Sequence, residues 1–334
     1  MAHASNHRPT INDVAEAAGV SKGTVSRVIN GHNWVSPSSR EAVLTAIERL
    51  GFVPNRSAQN LAFARSNCVA CVLSEPISVL AENMVFTSRL EEVTKHLTAR
   101  GKSAVLMFAD QEEQRAHVVR HAQARHVDGA ILMSADPDDP LIPLLTEADV
   151  PLVTTGRLFD EPRPGLPHVA VDDRMGAAQA VEHLLSVGRK RIGLIAGPLV
   201  SAGARARLDA ARGLLDGPDR VAVAGAFTQA DGYAACRDLL ERFPEVDGLF
   251  VAADVLAIGA VRCLHEMGRA IPDDLAVVGF DNIPAVAALH PPLTTIAPGP
   301  GGAEALVETI LARIDGRDMP SVDVPTRLVR RASA

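Results

Sequence analysis

Between Lys22 and Asn30, five polar side chains (Lys22, Thr24, Ser26, Arg27 and Asn30) alternate with the apolar Val25, Val28 and Ile29. Two cations, small hydroxyls and an amide on one short segment suit a DNA duplex. Cations pair with phosphates and guanine edges, while hydroxyls and amides meet phosphate oxygens and adenine. Nothing comparable points to catalysis. Cys68-x-x-Cys71 falls in an apolar run without a second thiol pair, so it reads as part of a buried strand. No Walker motif and no G-x-S-x-G elbow occurs, and Gly299-Pro300-Gly301-Gly302 lacks the G-x-G-x-x-G pattern at a strand-to-helix junction. An enzyme is therefore not expected, nor a metal, nor a cofactor.

The polar segment needs a support, and the flanking residues supply one. Ile11, Val14, Ala15 and Ala18 recur at i, i+3, i+4 and i+7, one face of a short helix, with Thr10 as N-cap and Asp13 in its first turn. Gly19 ends that helix and Ser21 caps the next, whose inner face is Val25, Val28 and Ile29. Ser36-Pro37 reads as N-cap and first residue of a third helix, with Val43, Leu44, Ile47 and Leu50 inward and Gly51 as its stop. Two helices joined by a glycine turn, with a third behind them, make a helix-turn-helix head that presents its second helix to a major groove. So small a unit buries little surface and is marginally stable alone. The polar linker from Pro54 to Ala62 is just long enough for two helical turns, and Leu61 within it has no core to enter.

Charge is distributed to match. The chain carries a net charge of −7, yet residues 1–65 hold seven Lys/Arg against four acids. A basic head on an acidic body confines phosphate attraction to the head. A hydrophobic content of 47% is ample for a packed core. No run approaches the ~18 apolar residues of a membrane span, and the N-terminus is polar, so a cytoplasmic protein is expected.

From Cys68 onward, short apolar runs alternate with helical patterns. Strands are expected at 68–73, 104–108, 129–133 and 152–155, with helices at 88–100, 112–125 and 141–148. A second series places strands at 168–171, 191–196, 221–226, 248–251 and 275–279, with helices at 174–186, 204–215, 231–242 and 255–267. Such βαβ repetition means parallel sheets covered on both faces, in two α/β lobes, with a ligand crevice at the carboxyl ends of the strands.

The residues from Thr10 to Leu61 closely resemble the head and hinge of the lactose-repressor/galactose-repressor family. The matching pieces include Asp13-Val14-Ala15, Ala18-Gly19-Val20-Ser21, Thr24 through Asn30, Val35-Ser36, and Pro54-Asn55 leading to Leu61. The body is similar to the sugar-binding, periplasmic-binding-protein-like core of the same family, through Val171-Asp172-Asp173, Gly197-Pro198, Arg205-x-Arg207-Leu208, Val277-Val278-Gly279-Phe280-Asp281 and Pro291-Pro292-Leu293-Thr294-Thr295. The resemblance implies a homodimeric one-component regulator, a repressor of transcription, that binds double-stranded operator DNA and answers to a small effector, most readily a carbohydrate. It implies a head at 1–53, a hinge at 54–65, and a core at 66–297 with lobes of about 66–165 and 166–297. Residues 298–334 then return to the first lobe and end in the second, after three crossings.

The resemblance also assigns residues. Lys22, Gly23 and Arg27 take the base-reading positions. Ser21, Thr24, Ser26, Asn30 and Ser36 set register on phosphates. Ile11 in the head and Asn55, Ala58, Gln59 and Leu61 in the hinge complete the DNA contacts, Leu61 as a minor-groove wedge. Arg207 and Asp281 match positions that hydrogen-bond effector hydroxyls, and Phe227 one that covers the ligand. Asp254 keeps the family's acid and reads also as a helix N-cap, while Ser74 and Arg157 follow first-lobe strands. Ala253, Pro298 and residues 78–86 depart from the family pattern, which bears on which effector is bound. No apolar heptads follow Arg330, so no helical tetramerisation tail is expected.

Overall fold

The structure, a computed structural model, describes residues 9–29, 34–52, 65–77, 84–134, 136–158, 165–216 and 219–334. They form two compact units, one up to Ser66 and the other Asn67–Ala334.

The first unit contains helices α1 (Ile11–Ala18), α2 (Lys22–Ile29) and α3 (Pro37–Leu50). Thr10 and Asp13 form a reciprocal capping box. The Asp13 amide donates to Thr10 Oγ1 at 3.4 Å, and the Thr10 amide donates to Asp13 Oδ2 at 2.6 Å. Gly19 closes α1 at φ +65°, a left-handed conformation that a residue with a Cβ disfavours. Val14, Ala15, Val25, Val28, Val43, Ala46 and Phe52 fill the core. Leu44, expected inward, is 53% exposed. The inner stripe of α3 runs through Val43, Ala46 and Ile47 instead, which turns position 44 to solvent.

The second unit consists of two lobes. The first is a sheet of β1 (Cys68–Leu73), β2 (Ser103–Phe108), β3 (Gly129–Leu132), β4 (Leu152–Thr155), β5 (His168–Val171) and β11 (Val322–Val324). Its order is β11-β5-β4-β3-β1-β2, parallel throughout. The second is a sheet of β6 (Ile192–Ala196), β7 (Val221–Val223), β8 (Gly248–Val251), β9 (Ala276–Phe280), β10 (Thr294–Pro298) and β12 (Thr326–Val329). Its order is β12-β10-β9-β8-β6-β7, with only β12 antiparallel to its neighbour.

Helices cover both faces of each sheet, which is why the strands read as continuous apolar runs. In the first lobe, Ala70, Val72 and Leu132 pack on α5 (Glu112–Gln123) and α6 (Leu141–Glu147). On the opposite face Val69, Cys71 and Ile131 pack on α4 (Met84–Ala99) and α11 (Gly302–Ile314). In the second lobe, Ile195, Val251 and Val277 meet α9 (Gln229–Arg242) and α10 (Asp254–Glu266). Leu194, Phe250, Val278 and Phe280 meet α7 (Asp173–Ser186) and α8 (Ala202–Arg212). Cys71 is fully buried, and burial pushes its thiol up to about 12, so it is inert packing rather than a ligand.

Residues 168–171, expected with the second series, pair with β4 and β11 in the first sheet. The chain therefore leaves the first lobe just after Val171 rather than near 166. It returns between Pro298 and Gly302, and crosses once more at Pro325, between β11 and β12. A four-residue apolar strand carries no mark of which sheet it will join; its hydrogen-bonding partners decide.

Candidate nucleic-acid and effector interfaces

In the head, Lys22, Gly23 and Arg27 stand exposed on one side of α2, while Val25 and Val28 anchor the other. Neither cation has an ion pair among the described residues. A Cβ on Gly23 would meet only Ser21 Oγ, at 3.7 Å, so the glycine leaves a bare stretch of backbone rather than relieving a clash. Ser21 works as a cap. Its Oγ accepts from the Thr24 amide at 3.1 Å and lies 2.9 Å from Thr24 Oγ1. Ser36 does the same for α3, accepting from the Ser39 amide at 3.2 Å. Ser26 and Ile11 are half-buried, and Ile11 packs on the head core. Asn30, Asn55, Ala58, Gln59 and Leu61 lie outside the described residues.

Between the lobes the geometry centres on Arg207, on α8. Its Nε donates to Asp173 Oδ1 at 2.7 Å, its Nη1 donates to the Ala252 carbonyl at 2.6 Å, and Nη1 lies 3.5 Å from Asp281 Oδ1. Its guanidinium sits 3.6 Å from the centroid of the Phe280 ring, a cation–π contact. Phe280 is held there because Gly176 of α7 has no side chain: a Cβ would meet the ring at 2.6 Å. Burial opposes the charge on Arg207, but Asp173 and Asp281 outweigh it and hold its pKa above the ordinary value.

Asp281 follows β9 directly, at the carboxyl end where α/β folds put ligands. Burial, countered by Arg207 and reinforced by Asp173, pushes its carboxyl up to about 6. Its φ is +107°, and that of Asn282 is +54°, both unusual for side-chain-bearing residues. The surroundings fasten the turn. The Asp281 amide donates to the Ile296 carbonyl at 2.8 Å, the Ile283 amide to Asp254 Oδ2 at 3.0 Å, and Arg331 Nη2 to Asn282 Oδ1 at 2.7 Å.

Two cavities of about 770 Å³ each flank this cluster. One is bounded by Ser88, Arg89, Asp281 and Pro298, the other by Arg157, Asp173, Gly203 and Arg205. Each thus draws walls from both lobes.

The other expected cleft residues bond chiefly to other parts of the protein, although Arg157 also lines the second cavity. Asp254 is fully buried, with Oδ1 accepting from Thr295 Oγ1 at 2.7 Å. Burial and then the neighbouring Asp281 raise its pKa well above the ordinary value. Ala253, not Asp254, is the N-cap of α10, so the capping role expected of Asp254 gives way to that of a clasp on the Asp281 turn. The Ser74 hydroxyl donates to Asp139 Oδ2, and Arg157 Nη2 pairs with Asp323 Oδ2 at 2.6 Å. Phe227 lays its ring on the bare backbone of Gly197. Sequence reasoning missed Arg89 and Asp173. Arg89, on α4, lines the first of the two cavities with Asp281; burial depresses its pKa, and the charges of Asp281 and Asp173 partly restore it. The signal was present: Arg89 is a charge on the stripe of Val85, Val93 and Leu97, the last two fully buried.

Residues 10–55 match the family described as bacterial regulatory proteins, lacI family, and residues 181–334 match the periplasmic binding protein-like domain. The chain is 39% identical over 294 residues to the HTH-type transcriptional regulator CelR of Thermobifida fusca, covering 86% of each protein. Among solved structures it is similar to a transcriptional regulator CelR–cellobiose complex, with a TM-score of 0.76 and 35% identity, over 98% of this chain and all of that one. It is also similar to the lac repressor dimer bound to operator and the anti-inducer ONPF, with a TM-score of 0.83 and 27% identity over 98% and 99% of the two chains. With a second helix exposed on a capped three-helix head, a charged crevice between two α/β lobes, and these relatives, the chain belongs to the lacI family of bacterial regulatory proteins and is a DNA-binding transcriptional regulator, not an enzyme.

Proposed function

We propose that this regulator is a repressor whose effector is a neutral carbohydrate, bound between the lobes by Arg207, Asp281 and Arg89. The observation that carries the reading is the Arg207 cluster. One guanidinium is shared by two carboxylates and an aromatic face, so the cluster offers hydroxyl groups N–H donors from Arg207 and carboxylate acceptors from Asp173 and Asp281 at fixed positions. Because Arg207 is already neutralised by Asp173 and Asp281, the cluster favours a polyol over a further anion. A glucosyl disaccharide is the first candidate, supported by the similarity to a regulator solved with cellobiose. Arg27 and Lys22 read bases, Gly23 lets the backbone approach the groove, and Ser21, Thr24, Ser26, Asn30 and Ser36 hold phosphates. Two chains pair on a pseudo-palindromic operator in the cytoplasm, each hinge contributing Leu61 to the minor groove. Effector binding selects one lobe arrangement and thereby changes operator affinity. The coupling is reciprocal: operator must change effector affinity by the same factor.

Calorimetry with cellobiose on the wild type, Arg207→Ala and Asp281→Ala chains, with and without operator DNA, tests this. Cellobiose heat that disappears in both variants supports the assignment. Equal affinity in all three would move the site elsewhere, and binding of a purine or a sugar phosphate in place of cellobiose would overturn the neutral-sugar reading. No described helix is long and apolar enough to cross a membrane.

A further inference from the structure

In the first lobe, away from the residues that bound either cavity, three imidazoles gather at the C-terminal end of α5. His117 and His121 stand one helical turn apart, with ring centroids 5.3 Å apart. The chain then turns back. Arg125 adopts φ +56°, its amide donates to the Ala122 carbonyl at 2.9 Å, and the His126 amide donates to the His121 carbonyl at 3.1 Å. That backbone arrangement is a Schellman turn, so the position of His126 is fixed by main-chain bonds rather than by its side chain. It brings the His121 and His126 rings to 4.6 Å between centroids, with their Nδ1 atoms 3.3 Å apart.

Two nitrogens each about 2.0–2.1 Å from a tetrahedral metal stand roughly 3.3–3.4 Å from one another. His121 and His126 already hold that separation. As the side chains stand, no three ligating groups among the described residues converge on one point. His117 is exposed, however, and its ring already stacks on His121, so joining the pair would need only a change of rotamer, a small cost for a surface side chain. The i, i+4 spacing of His117 and His121 is the spacing with which a helix offers two imidazoles to one metal. His121 is half-buried against a helix anchored by Val118 and Ala122, whereas His126 is exposed, so the site is rigid at one ligand and open to solvent at the others. We propose that His117, His121 and His126 form a surface site for a borderline divalent transition metal such as Zn²⁺, with a water as the fourth ligand.

The experiment uses the full, untagged chain and metal alone. Isothermal titration with Zn²⁺ is expected to give one equivalent per chain at micromolar affinity, and Co²⁺ to give the visible absorption of a tetrahedral site. His121→Gln and His126→Gln should each weaken Zn²⁺ by more than about tenfold, since loss of even an outer-shell partner costs that much. Because the rings lie at the surface, unchanged melting temperatures in the absence of metal will show that the variants fold. Substoichiometric or millimolar Zn²⁺ binding by the wild type, or equal binding by wild type and both variants, would overturn the site.

Discussion

The side chains proposed to contact DNA in the head and those proposed to contact effector in the crevice stand in opposite surroundings. In the head, Lys22 and Arg27 stand in solvent on the outside of a small apolar core and support nothing behind them. In the crevice, Arg207, Asp281 and Asp254 are enclosed and bound to one another or to the turn after β9. If these residues do the proposed work, function in the head is separable from stability, whereas function in the crevice is a share of stability. The difference follows from the ligands. A duplex brings its own charges to an exposed surface, while a small neutral molecule must find donors and acceptors already dry and fixed.

The strongest test of this contrast is Asp254→Ala. It leaves the Ile283 amide and the Thr295 hydroxyl buried without an acceptor, and should destabilise the core by about 3 kcal/mol. Denaturant unfolding would measure it, and Asp254→Asn should recover most of the loss. A core that tolerates the alanine would deny the clasp. Next comes Arg27→Ala, expected to weaken operator binding by about 1–3 kcal/mol with the melting temperature unchanged. A matching fall in melting temperature would mean the head is not separable after all.

Asp281→Asn should act in both directions at once. The folded carboxyl titrates near 6, above its unfolded value, so the folded chain holds a proton that the unfolded chain has lost. Stability from this group is therefore greatest below the unfolded pKa and falls as pH rises from about 4 through 6. The amide has no such fall. At neutral pH it should stabilise the core by about 1 kcal/mol, part of the relief being offset by the lost pair with Arg207, while weakening effector binding. Melting curves at pH 5 and 7.5 would reveal it: a variant less stable than wild type at pH 7.5 contradicts the raised pKa. The smallest effect is reserved for Ser36→Asp. Aspartate caps α3 as well as serine, so stability should stay within about 0.5 kcal/mol, yet its charge should repel a phosphate and lower operator affinity several-fold. Unchanged affinity would make Ser36 a cap and nothing more.

The same contrast explains what could be read in the chain beforehand. Helix caps and the apolar stripe are local, so Thr10, Gly19, Ser36 and Val14 announced the head directly. Strands buried on both faces were equally plain. The crevice was not, because its members come from α4, α7, α8 and the turn after β9, and the two carboxylates that share Arg207, Asp173 and Asp281, lie far apart in the chain. Resemblance supplied Arg207 and Asp281. Arg89 needed the recognition that a charge on a buried stripe has a reason to be there, and the place of β5 needed the hydrogen bonds of the finished sheet.

The path of the chain also orders its assembly during synthesis. Leu306, Val307 and Ile310 of α11 cover one face of the first sheet, and β11 closes the edge left by β5. Those pieces emerge from the ribosome only after every strand of the second sheet except β12. The lobe that is translated first is thus finished almost last. Until then it presents an apolar face covered only in part, by α4, and an unpaired strand edge, features that invite association with other nascent chains. The second lobe, nearly complete within one uninterrupted stretch, can fold first and serve as the platform on which the first is closed.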